Sequence, residues 1–164
     1  MDLYHISDTY ITYLRQFDNR VLDNHFVVHN RKYLGLGVII NGRQYYLPLS
    51  HPDPTDFVNG KPRGSVIPIF RLINQKGRLI GKVLLNNMIP CPVSELTYYD
   101  LSKETDIKYR NLVFAELRII RANASTIINN ANILYSQKTS GLQYHYLSAT
   151  VDFKLLEEKS DLYI

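Results

Sequence analysis

Apolar positions alternate or run together over much of the first hundred residues, then recur at three- and four-residue spacing, so strands are expected early and helices late. Leu3 to Ser7 predicts a short strand. Asp8 reads as the N-cap of a helix with Ile11, Leu14 and Phe17 on one face and Tyr10, Tyr13 and Arg15 around it. Residues 19–30 are polar and irregular. Tyr33 to Ile40 is nearly continuous apolar sequence, Asn41-Gly42 is a strong hairpin signal, and Arg43 to Leu49 alternates back as the partner strand. Ser50 to Gly64, rich in proline, glycine and acidic residues, reads as a long surface loop. Val66 to Ile73 and Leu79 to Leu85 predict a second hairpin around Asn74-Gln75-Lys76-Gly77. Pro90 and Pro92 break the pattern before one further strand within Val93 to Leu101. From about Asp106 to Lys138 the period is helical, carried by Leu112, Val113, Leu117, Ile120, Ala124, Ile127 and Ile128; Gly141 stops it, and Asp152 caps a last helix.

Strands followed by helices predict an α+β fold in which helices pack on an antiparallel sheet, and 164 residues suit one domain, 1–164, with one core. No apolar run approaches the length of a membrane span. With no secretory leader pattern and a single cysteine, Cys91, the expectation is a cytoplasmic protein without disulfides. The formal charge of +4 and the thirteen tyrosines favour a polyanion that stacks, although most tyrosines in any fold are structural.

The strong catalytic motifs are absent: there is no phosphate loop, His-Glu-x-x-His, cysteine pair or Gly-x-Ser-x-Gly elbow. Scattered carboxylates argue against a two-metal nuclease, and no cofactor is expected. Asp53 and Asp56 are close in sequence but read as loop carboxylates. The remaining chemistry suits metal-free RNA cleavage, which needs a base for the ribose 2′-OH, an acid for the departing 5′-oxygen, and donors around the phosphate. Arg31-Lys32 precede the first hairpin and Ser50-His51 follow it. A tight turn brings the outer ends of its strands together, so the two pairs are expected to be neighbours. Taken singly, each has a plainer reading, as edge charge, a turn serine or an idle histidine.

Several segments together resemble the ToxN/AbiQ endoribonuclease toxins of type III toxin–antitoxin systems, the shorter CptN-like members in particular. They include Tyr4-His5-Ile6-Ser7, Tyr10-Ile11-Thr12-Tyr13-Leu14, Phe17-Asp18-Asn19-Arg20-Val21, Tyr46-Leu47-Pro48-Leu49-Ser50 and Leu155-Leu156-Glu157-Glu158-Lys159. The resemblance implies a compact, strongly twisted antiparallel sheet with packed helices, like MazF/CcdB-type toxins. It implies cleavage without a metal to 2′,3′-cyclic phosphate and 5′-hydroxyl ends, with cellular and phage RNA as substrates. The implied partner is a pseudoknot RNA antitoxin processed from a repeat transcript and closed with the protein into a higher-order assembly. Tyr10 then matches an active-site tyrosine, and Arg31 or Lys32 a basic residue before the first long strand. Pro48-Leu49-Ser50-His51-Pro52-Asp53 departs from the family pattern: His51 replaces a serine and Asp53 a lysine. The missing positive charge would come from Lys32, Lys61 or Arg63, and Tyr13, Arg15 and His29 are further candidate RNA contacts. The rival readings are an RNA-binding domain without catalysis and a MazF-type toxin neutralised by a protein.

Overall fold

The computed structural model describes residues 1–25 and 28–164; Phe26 and Val27, within the stretch expected to be irregular, lie outside the described residues. The chain is α+β. It comprises β1 (Asp2–Ile6), α1 (Asp8–Arg15), β2 (Tyr33–Ile40), β3 (Arg43–Ser50), β4 (Phe57–Val58), β5 (Lys61–Pro62), β6 (Ile69–Ile73), β7 (Leu79–Leu84), β8 (Ile89–Pro90), β9 (Leu96–Tyr98), α2 (Ile107–Ala122), α3 (Ala124–Thr139) and α4 (Phe153–Leu162). The main sheet runs β6-β7-β3-β2-β1-β9, and β8 adds to β3. Every pairing is antiparallel.

The Asn41-Gly42 turn closes β2 on β3 as expected, both residues taking positive φ (52° and 74°), the conformation a two-residue hairpin turn demands. Strand β3 is the hub. It pairs with β2 from Arg43 to Pro48 and with β8 at Tyr45 and Tyr46, whereas Leu49 and Ser50 at its far end pair with Val83 and Lys82 of β7. The core is therefore built around Tyr33, Leu34, Tyr45 and Leu47, joined by Leu72, Ile120 and Phe153 from the surrounding elements.

Some boundaries differ from the sequence reading. Ser7, not Asp8, caps α1: its hydroxyl accepts from the Tyr10 amide at 3.1 Å, and Asp8 falls in the first turn. The helix ends at Arg15, leaving Phe17 outside it. The continuous helix expected from 106 to 138 is two helices that break at Asn123, whose side chain donates to the Ile119 carbonyl at 2.8 Å. The loop after β3 contains a tiny β4–β5 hairpin, and Ser50 belongs to the strand. Strand β8 went unpredicted because Pro90 lies in it; proline is tolerated where no ladder amide is required. Among the described residues, no helix is long and apolar enough to cross a membrane.

Candidate active site

A narrow pocket opens where the outer ends of the β2–β3 hairpin meet helix α2. It is lined by His29, Asn30, Lys32, Leu49, Ser50, His51, Tyr109, Leu112 and Glu116. The hairpin supplies one wall for the reason expected: the Leu49 amide donates to the Lys32 carbonyl at 3.0 Å, so the two outer ends are hydrogen-bonded neighbours. Helix α2 supplies the other. Its N-cap Asp106 accepts from the Tyr109 amide, and the spacing of Tyr109, Leu112 and Glu116 puts all three on one face. The cavity measures about 20 Å³. That volume admits a phosphate oxygen or roughly one water, far less than a nucleobase.

Lys32 is buried. Its ammonium donates to the Asn30 carbonyl at 2.7 Å and lies over two aromatic faces, 4.7 Å from the Tyr99 centroid and 5.3 Å from that of Tyr109. Burial pulls its pKa below the usual lysine value, opposed by the negative charge of Glu104. His29 stacks on Tyr109 with centroids 3.7 Å apart and planes within 8°, while its Nε2 is 3.1 Å from Asp106 Oδ2. His51 is exposed at the mouth. Desolvation first, then the charges of Arg31 and His29, lower its pKa and favour the neutral imidazole at pH 7. Half-buried Ser50 ends β3 beside it.

The other sequence candidates lie elsewhere. Tyr10 is fully buried and its hydroxyl donates to the Pro90 carbonyl at 2.7 Å, so the expected active-site tyrosine is a core residue. Tyr13 donates to the Lys159 carbonyl at 3.0 Å, and Arg15 to that of Val21. Arg31 stands behind the pocket rather than in it. Its buried guanidinium donates to the carbonyls of Asp23 at 2.8 Å and Leu49 at 3.1 Å, clamping the end of β3. Lys61 lies on β5, and Arg63 donates to the Thr55 carbonyl at 3.0 Å; neither lines the pocket.

Four residues were missed. Lys82, the cross-strand partner of Ser50, donates to Asp53 at 2.6 Å and to Asp56 at 2.7 Å, and Arg71 meets Asp56 at 2.9 Å. This four-charge cluster ties the loop after His51 to β6 and β7; Asp56 is a buried structural carboxylate, while Asp53 stays exposed on the loop and pairs with Lys82 from there. Tyr109 and Glu116 complete the pocket. Glu116 could have been found, because it is an acid set among Val113, Leu117 and Ile120 on an otherwise apolar stripe. Among the described residues, no three His, Cys, Asp or Glu side chains gather as a metal would require.

Residues 2–161 match the family described as "Toxin ToxN, type III toxin-antitoxin system". The chain is 32% identical over 165 residues to "Endoribonuclease ToxN" of Bacillus thuringiensis subsp. kurstaki, covering 96% of this chain and 81% of that protein. Among solved structures, the fold is similar to one described as "A processed non-coding RNA regulates a bacterial antiviral system", with a TM-score of 0.87, 27% identity and 99% of each chain covered. It is also similar to one described as "New insights into the mechanism of bacterial Type III toxin-antitoxin systems: selective toxin inhibition by a non-coding RNA pseudoknot". There the TM-score is 0.83 at 30% identity, over 99% of this chain and 96% of the other.

Proposed function

The chain belongs to the ToxN toxins of type III toxin–antitoxin systems, and from that premise we propose that it is an endoribonuclease that cuts RNA without a metal and is silenced by a folded RNA. One observation carries the reading: Lys32, Ser50, His51 and His29, drawn from separate stretches of sequence, line a single pocket sized for a phosphate oxygen. Each has a part in transesterification. The neutral His51 imidazole takes the 2′-OH proton, and the 2′-oxygen then attacks the adjacent phosphorus. Lys32, held in place by Asn30 and the two tyrosine faces, is a fixed cation for the charge that builds on the phosphate, and the Ser50 hydroxyl adds a donor. The products are a 2′,3′-cyclic phosphate and a 5′-hydroxyl. Inhibition follows if a pseudoknot RNA, released by the toxin from its own repeat transcript, keeps its cut end in this pocket.

The test is direct. Purified protein freed of bound RNA, incubated with single-stranded RNA in excess EDTA, should yield fragments with cyclic phosphate and 5′-hydroxyl ends. Fragments with 5′-phosphate ends, or a requirement for Mg²⁺, would overturn the mechanism. Intact RNA would favour a binding domain without catalysis.

A further inference from the structure

The pocket contains a carboxyl group that the cleavage scheme above leaves idle. Glu116 is buried, lines the same cavity as Ser50 and His51, and has no hydrogen bond or ion pair to any other described residue. The fold makes room for it. Gly81 of β7 lies against the carboxyl, and a Cβ there would collide with Glu116 Oε1 and stand 3.0 Å from its Cδ. Gly81 is not among the glycines with positive φ, so its backbone does not need glycine, and a side chain there would have to displace the carboxyl. A strand interior thus gives up a side chain to seat an acid with no ion-pair partner beside a candidate base, although interior glycine weakens a strand.

Resting on the cleavage reading, we infer that Glu116 is the proton donor to the departing 5′-oxygen. Burial alone pushes its pKa up to about 8, so it carries a proton at neutral pH, whereas His51 is shifted the opposite way. Two titratable groups driven apart in one pocket are a basis for assigning acid and base. The step balances. As the 2′-oxygen bonds to phosphorus, its proton goes to His51. As the P–O5′ bond breaks, the Glu116 proton passes to the 5′-oxygen, leaving a carboxylate opposite an imidazolium. Transfer of the imidazolium proton back to the carboxylate through solvent resets both groups. The charged and titratable groups around Glu116 are His29, Lys32, His51 and Tyr109, which line the pocket, and Lys82 beside Gly81, already committed to Asp53 and Asp56.

Single-turnover cleavage against pH, by wild type and Glu116→Gln, tests the assignment. Wild type should show a descending limb near pH 8 that is missing in the variant, and the variant should be slower at pH 7 by about 10²–10⁴-fold. A substrate with sulfur in place of the bridging 5′-oxygen leaves as a thiolate without needing a proton. It should restore the variant to near the wild-type rate, and with wild type alone it should abolish the descending limb, a result that does not depend on the variant folding. If the products have the expected ends but Glu116→Gln retains the wild-type rate and profile, or the sulfur substrate leaves the wild-type limb unchanged, Glu116 is not the donor. If the products have 5′-phosphate ends, the cleavage reading itself has failed.

Discussion

Tyr10 shows how burial bears on a residue's part. Family resemblance made it a candidate for chemistry, yet its ring is enclosed by Tyr13 and Tyr163 and its hydroxyl satisfies a carbonyl 80 residues away. Nothing around position 10 in the sequence foretells that partner. Tyr10→Phe keeps the packing but leaves the buried Pro90 carbonyl without its donor, a loss of about 1–3 kcal/mol. Urea denaturation should show a lower midpoint with an unchanged slope, while cleavage per folded molecule stays within a few-fold of wild type. A large loss of cleavage with intact stability would return Tyr10 to the active site. Glu116 is the converse case. The acid on an apolar stripe was visible in the sequence, but only the structure shows it lying against Gly81 in the pocket.

At the scale of elements, legibility follows how local the determining interaction is. The β2–β3 hairpin was readable because Asn41-Gly42 specifies its own turn, and with it came the meeting of Lys32 with Ser50 and His51. The far wall was not readable, because no local signal says that α2 crosses those strand ends. Nor was the charge cluster behind the loop, where Asp53 and Asp56 are gripped by Lys82 and Arg71 from other strands. Removing Asp56 strips Arg71 and Lys82 of the one carboxylate they share. Asp56→Ala should therefore cost about 3–5 kcal/mol, read as a lower denaturation midpoint. It should also slow cleavage by loosening the segment that carries His51. The pH dependence has a definite sign. Lys82, then Thr55, hold the Asp53 carboxyl down to about 2. Burial alone would raise Asp56, but Lys82, the Asp53 amide and Arg71 hold it below the usual range. Folded pKa values below the usual value of about 3.9 mean stability that is present at neutral pH and lost as pH falls from there toward 2. Acid titration of wild type should show this loss, and Asp56→Ala should show less of it.

Across the whole molecule, the surplus of positive charge is unevenly spread. Helix α2 exposes Arg118 and Arg121 and also carries Lys108 and Arg110, while its one acid, Glu116, is buried. On the proposed function these cations are available to phosphates, and affinity for the folded RNA inhibitor should fall steeply with salt, with a log–log slope of several negative units. A nearly flat response in a salt titration would mean that phosphate contacts do not hold the complex. Helix α4 has a different significance. It closes over the first helix through Tyr13 and Lys159, and it caps the hub strand where Tyr45 donates to Glu157 at 2.7 Å. A ribosome delivers the chain from its amino end, so the strands that frame the pocket emerge long before Phe153–Leu162 can seal the core. Chains in which Phe153–Leu162 has yet to emerge thus lack the packing that fixes the pocket, and on the proposed function the message being translated is spared until that helix docks.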